Sequence, residues 1–400
     1  MRHDRNREQP PANAASSGGN AGLRSKSERD YGLDLLKGVG CLCMLIGHSG
    51  VEDKTDSLAM TIHFLVHVGA IYFFSVAGIT TQLQLQRYTV KSLLRTYVLI
   101  FLLGYSYSAV RHPDLYHFFT FEIFQIIALG VMATAMVHAF LKSSPATYAL
   151  LAAVLVALNW LCQWQFPGFH GAGLLLPHER YVPHYLLAQG QEEVFPGFPL
   201  LGWLYVFFAG CALYGAPRRA GLVLALAATI VLVTLESLGI DTRFRDTWAM
   251  SPGFTCVSML ALGLGMFFVK SLHGWQPGPH NMLIYFGKNS LQFLYLHVFG
   301  IAAVVGCWWA GQYLAWIVGT VVTYFVMKGF ERLPQWRRLE SITAWYVLVM
   351  LCLALPLLMQ FGEQWAWVVQ IGEGAIGLMF AKNLGLLTRR MKRVPSPADV

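Results

Sequence analysis

Charge is scarce in this sequence: Asp, Glu, Lys and Arg together make up 12% of its 400 residues, about half of what a soluble domain carries. That scarcity excludes an ordinary water-soluble globular protein, and with 56% hydrophobic residues the chain reads as a polytopic membrane protein. Cysteine is sparse as well. Cys41, Cys43, Cys162, Cys211, Cys256, Cys307 and Cys352 lie in or at the ends of apolar runs, with no CxxC and no paired spacing. This excludes a zinc ribbon and a disulfide framework and leaves small core residues. A Walker loop, HExxH, GxSxG and a glycine-rich turn after a strand are all missing, so no soluble catalytic module is recognisable. No metal is expected either, since His63 and His67 have i, i+4 spacing but no carboxylate or thiol in either flank. Residues 1–28 mix charge, Pro, Gly and Ser without an apolar core, which argues against a cleaved signal peptide and for a disordered cytoplasmic tail.

Long apolar runs are what the chain has in abundance. A helical span needs about 20 mostly apolar residues, and twelve segments qualify, near 33–50, 60–82, 92–110, 118–141, 146–162, 198–215, 219–238, 253–272, 283–304, 309–327, 341–360 and 366–388. The expected fold is all-α, a polytopic integral membrane helical bundle of about 12 (10–12) transmembrane helices within residues 29–388. Basic residues collect in alternate connections, as the positive-inside rule requires. The outer connections hold only Lys54, Arg111, Arg180, Arg243 and Arg245 of the 29 basic residues. Both termini are therefore expected in the cytoplasm, the carboxyl end as the basic tail 389–400, and a bacterial inner (plasma) membrane is the expected location. The net charge of +8 follows from this bias and from anionic lipid headgroups, with no nucleic-acid partner.

Polar residues inside such runs are costly and need a reason. In "LDLLKGVGCLCMLIGH", Lys37 and His48 are eleven residues apart, about three turns and roughly 16 Å of rise. One helix face thus carries a cation at its cytosolic mouth and an imidazole in its outer half. Asp34 complements the dipole at the amino end of the same helix; snorkelling for Lys37, simple capping for Asp34 and an interfacial place for His48 are the bland alternatives. Lys91 and Arg95, at i and i+4, stack like charges at the start of the third span, which makes sense around an anion, either a lipid phosphate or a phosphorylated cofactor. Glu122 and Gln125 in "FEIFQIIALG", His297 in "FGKNSLQFLYLH" and Glu373 in "VVQIGEGAIG" each require a partner or a wet cavity. For Glu373, flanked by glycines, a bond to a neighbouring helix is expected. The long outer connection 163–199 holds prolines, three histidines and the charged residues Glu179, Arg180, Glu192 and Glu193, with His184 among the histidines. Loops of this length are commonly lids or binding loops, with a plain solvated loop as the alternative.

These residues carry a family resemblance. Asp34, Lys37 and His48 resemble the acid, basic residue and histidine of the first span of the acyltransferase-3 membrane enzymes. "IYFFSVAGI", "KSLLR" and "FGKNSLQFLYLH" are similar to three further blocks of that family, in order along the chain. "FEIFQIIALGVM" and "FPLLGWLYVFFAGCALYG" look closer to the related heparan-α-glucosaminide N-acetyltransferase-like branch. Lys37 stands where arginine is usual, as does Lys91, so the planar bidentate fork is lost at both positions.

The resemblance implies transfer of an acyl group, most often acetyl, from cytosolic acyl-CoA to a hydroxyl or amine of an extracytoplasmic glycan or lipid-linked sugar. On that reading His48, His297 and Asp34 are the catalytic candidates, and Lys37, Lys91 and Arg95 meet the CoA phosphates. Glu122, Gln125, Glu179, Arg180, His184, Glu192 and Glu193 face the sugar, in a setting of membrane lipids. The rival reading is a multi-pass transporter or exporter of a sugar, lipid-linked oligosaccharide or small anion, against which stands the absence of an internal repeat.

Overall fold

The computed structural model describes residues 29–48, 57–111, 122–141, 143–165, 200–242, 250–278, 280–336 and 339–390. Among them run thirteen α-helices: α1 Tyr31–His48, α2 Ser57–Leu85, α3 Val90–Arg111, α4 Ile123–Phe140, α5 Pro145–Gln165, α6 Leu200–Gly215, α7 Arg219–Ser237, α8 Pro252–Ser271, α9 Met282–Lys288, α10 Ser290–Gly306, α11 Gln312–Glu331, α12 Ile342–Cys352 and α13 Ala366–Arg390. Within the described residues each of the twelve apolar segments overlaps one of these helices or the α9–α10 pair, the segment near 341–360 being α-helix to Cys352 and 3₁₀ helix over Leu355–Phe361. By length and composition alone, eight helical stretches among the described residues can cross a bilayer, one of them α12 with the 3₁₀ helix Leu355–Phe361 that continues it, and nine with the bent pair counted as one span. Those that fall short of the expected twelve do so for physical reasons. α1 carries Asp34, Lys37 and His48, α6 has 16 residues, and α13 carries Glu373 and Lys382.

The segment read as one span near 283–304 is two helices meeting at 118°. Asn281 caps the first of them, accepting from the Ile284 amide at 3.0 Å. Its Asn289 end starts the second helix without a side-chain cap. The side-chain amide of Asn289 donates to the Tyr285 carbonyl at 3.1 Å, alongside the Asn289 backbone N–H that donates to the same oxygen at 3.1 Å, so the break is held by two bonds from one residue.

α2 is central, packed on α1, α4, α6 and α8, while α1 also meets α9, α10 and α11. Lipid tails are as apolar as the helices, so close backbone approach replaces hydrophobic drive as the source of cohesion. Small residues supply it where α2 crosses α6: a methyl group added at Gly78 would overlap the Phe207 carbonyl, and one at Gly210 would overlap Ser75. Beside this crossing Phe74 stacks on Phe207 with ring centroids 5.4 Å apart and meets Trp203 edge-on at 5.4 Å. Hydroxyls buried in helices bond back to their own backbone, as Thr81 does to the Ala77 carbonyl (2.8 Å) and Thr134 to that of Gly130 (2.8 Å).

Long-range polar contacts join helix ends that alternate crossing places at one level. Lys270 at the end of α8 donates to the Ala216 carbonyl just past α6, and Lys382 of α13 donates to the Glu331 carbonyl at the end of α11 (2.7 Å). Tyr346 near the start of α12 donates to the Arg95 carbonyl near the start of α3 (2.6 Å). At the opposite level, Gln370 of α13 donates to the Val110 carbonyl of α3 (3.1 Å) and Asn159 of α5 to the Met250 carbonyl before α8 (3.0 Å). α5 and α7 turn Leu150, Leu158, Val223, Leu226, Ile230 and Val233 outward, as lipid-facing helices do.

Candidate active site

α1 is continuous from Tyr31 to His48, so Lys37 and His48 do share a face about 16 Å apart along its axis. At its end His48 meets His297 of α10, with His48 Nδ1 3.0 Å from His297 Nε2. His297 is 3% exposed, stacks on the Phe293 ring at 5.3 Å, and places its Nδ1 3.1 Å from the Phe293 carbonyl. A carbonyl only accepts, so Nδ1 of His297 carries the hydrogen and, in the neutral ring, Nε2 is the acceptor. His48 must then donate from Nδ1, which leaves its Nε2 as the nitrogen with the lone pair. A buried imidazole thus fixes the tautomer and orientation of a more exposed one, and supports its positive charge whenever Nε2 takes a proton.

From His297 the helix α10 continues to Gly306, about 14 Å of rise, before a turn in which Trp309 is 86% exposed. His48 is the last residue of α1 and is exposed, with Lys37 about 16 Å away along the same helix.

The basic residues stand on helices with different main neighbours. Lys37 lies over the Phe73 ring of α2, with Nζ 4.9 Å from the centroid, a cation–π contact that holds the ammonium near the α1–α2 seam. Lys91 and Arg95 are exposed on α3, which packs on α4, α12 and α13, a different set of neighbours from those of α1. The residue that does join α1 is Lys288, whose Nζ lies 4.8 Å from the Tyr31 ring centroid. The block "FGKNS" already displayed this lysine; only the fold of α9 back across α1 brings it to the first turn.

A family model for the heparan-α-glucosaminide N-acetyltransferase catalytic region matches residues 29–241. The chain belongs to this family. It is an integral multi-pass membrane protein of an acetyltransferase family, and the acyltransferase-3 likeness rests on the short blocks alone. No curated protein and no solved structure matches the chain. The N-acetyltransferase match contains Lys37, His48, Lys91 and Arg95. His297 and Lys288 lie beyond it and reach α1 through the bent helix pair.

Within the matched N-acetyltransferase region, Glu122 and Gln125 have a local structural role. Glu122 is the N-cap of α4, its side chain accepting from the N3 backbone while Gln125 Oε1 accepts from the Glu122 amide at 3.1 Å. This is a capping box, and the Gln125 side chain also fills the space left by Gly104 of α3. Glu122→Ala is expected to cost ~1 kcal/mol of stability and to leave the acceptor KM unchanged; thermal unfolding in detergent and acceptor kinetics check the two halves. Asp34 belongs to the first turn of α1, and its carbonyl lies against Gly287 of α9. His67 is buried and edge-on to Phe254 at 6.2 Å. Cys41 is a buried core thiol whose Sγ–H points to the Phe286 carbonyl at 3.9 Å. Glu179, Arg180, His184, Glu192 and Glu193, and the side chain of His63, lie outside the described residues.

Proposed function

We propose that the protein moves an acetyl group from cytosolic acetyl-CoA to a hydroxyl or amine of an extracytoplasmic sugar, with His48 at the point of transfer. The observation that carries this is the histidine pair: an oriented imidazole at the end of α1, on the same helix face as a lysine about 16 Å away toward the amino end of that helix. Lys37 and Lys288 would meet the anionic part of the donor, and an extended thiol arm spans the distance from there to His48. The acceptor comes from the other side, through the outer half of the bundle.

The proton balance is simple. As the acceptor oxygen or nitrogen attacks the thioester carbon, its proton passes to His48 Nε2, while Nδ1 keeps its bond to His297; the C–S bond breaks and the thiolate then takes the proton. Alternatively Nε2 attacks first and carries the acyl group before the acceptor receives it. Both routes use the same nitrogen. The proposal includes cytosolic termini and a bacterial plasma membrane, with a cell-envelope glycan or lipid-linked sugar as acceptor.

The test is transfer of label from acetyl-CoA into crude envelope glycans by membranes containing the protein. Label in glycan supports the proposal, and label trapped on the protein selects the two-step route. Absence of both label and CoA binding would move the assignment to a transporter. CoA itself should raise the unfolding temperature of purified protein, equivalent to about 2.7 kcal/mol at a concentration a hundredfold above Kd. Lys37→Gln is expected to raise the donor KM about tenfold, as loss of a charge-assisted contact does. An unchanged donor KM would assign Lys37 to lipid instead.

A further inference from the structure

Among the polar residues of the apolar runs, Glu373 of α13 meets the Ser106 hydroxyl of α3 at 2.5 Å, the helix-to-helix bond expected of it. Lys91 and Arg95 are left without a role. They stand at i and i+4 on α3, both exposed, and among the described residues neither is ion-paired with a carboxylate. Like charges one helical turn apart repel, so an anion from outside the chain would stabilise this face.

The surface next to the two cations says what kind of anion. Val98, i+3 from Arg95 and i+7 from Lys91, is exposed, so one strip of α3 passes from charge to apolar surface within a turn. α12 lies alongside, tied there by the Tyr346 hydroxyl, which donates to the Arg95 carbonyl at 2.6 Å. Val347, the next residue, is exposed, and so are Met350 and Leu351 one turn further on. Cations at the helix end with bare apolar side chains following them, on two adjoining helices, complement both parts of an amphiphile, its phosphate head and its acyl chain. A free nucleotide matches the first part only.

We propose that the start of α3, together with α12, is a docking surface for an anionic phospholipid. Its phosphate sits between Lys91 and Arg95, and an acyl chain lies against Val98 and the exposed side of α12. Arg95 supplies the planar fork that holds phosphate oxygens in pairs, and Lys91 adds a point charge. A zwitterionic head brings its own ammonium towards the same two cations and is disfavoured. The lipid bridges α3, inside the matched region 29–241, to α12, outside it. The inference rests neither on acetyl transfer nor on the donor.

Native mass spectrometry of the full-length protein, with phosphatidylglycerol or phosphatidylcholine added in detergent, tests it. Wild type is expected to retain one phosphatidylglycerol at concentrations where phosphatidylcholine does not stay bound. Lys91→Gln and Arg95→Gln should each weaken that binding roughly fivefold, and the double variant about thirtyfold. Arg95→Lys keeps the charge and should keep most of the affinity, which a packing role alone does not explain. Arg219→Gln, exposed at the start of α7, is the control and should bind as wild type does. Equal retention by wild type and the double variant, or an equal loss in Arg219→Gln, would overturn the proposal. Displacement of the lipid by CoA would overturn it in favour of a nucleotide phosphate, and a second copy of the chain in place of the lipid would overturn it in favour of self-association. As a second measurement, phosphatidylglycerol should raise the unfolding temperature of wild type more than phosphatidylcholine does. The same difference persisting in the double variant would count against the site.

Discussion

Replacing His48 by alanine is expected to lower acetyl transfer about a thousandfold or more while leaving the protein folded. The magnitude is that of a general base acting on a poor nucleophile, and it grows if Nε2 is itself acylated. Stability should hold because His48 is the exposed member of the pair, at the last residue of α1. The graded variants lie at His297. His297→Ala removes the acceptor that fixes the His48 tautomer, so turnover should fall roughly a hundredfold with the acceptor KM less affected, as in oriented-base systems that lose the orienting group. His297→Gln can still donate to the Phe293 carbonyl from its amide nitrogen and accept from His48 through its amide oxygen, and should recover part of that loss. The expected order of activity is wild type, His297→Gln, His297→Ala, His48→Ala. Full activity in His48→Ala would remove the mechanism. Equal loss in both His297 variants would make that residue a packing element only.

How far the sequence could reach is clear from individual residues. Among the described residues the apolar runs are helical because run length and the scarcity of charge are local properties, readable without partners. The shared face of Lys37 and His48 was legible for the same reason, since helical periodicity fixes it. The partner of His48 is 249 positions away, and no spacing rule connects the two. At Glu122 the structure adds a local role that hydropathy does not display: with α4 starting at Ile123 it is the N-cap. The α9–α10 break was hidden because "FGKNSLQ" sits inside an otherwise apolar segment. Asn and Ser adjoining within it are the turn signal that hydropathy alone passes over. Lys91 and Arg95 stand on α3, whose main neighbours differ from those of the helix that carries Lys37, and chain order does not determine which helices are neighbours.

Gly287→Ala and Gly38→Ala are expected to give the largest losses of stability among conservative substitutions, because α1 and α9 cross there backbone to backbone. A methyl group at Gly38 would overlap the Leu283 carbonyl, and one at Gly287 would overlap the Asp34 carbonyl. Neither obstacle is a side chain that could rotate away, so the helices themselves must separate. Overpacking of this kind costs about 1–3 kcal/mol, and a backbone obstacle places both sites at the upper end. Gly329 in α11 is the control: nothing lies within 4 Å of its added methyl, so alanine there should stabilise by up to ~1 kcal/mol through helix propensity. Thermal unfolding in detergent compares the three, and a Gly287→Ala midpoint no lower than that of Gly329→Ala would refute the crossing. Two consequences reach the site. Separation withdraws Lys288 from the first turn of α1, which should raise the donor KM, and it levers α10 at the bend, which should lengthen the His48–His297 bond and lower turnover. The double variant should cost less than the sum of the singles, since one displacement relieves both overlaps.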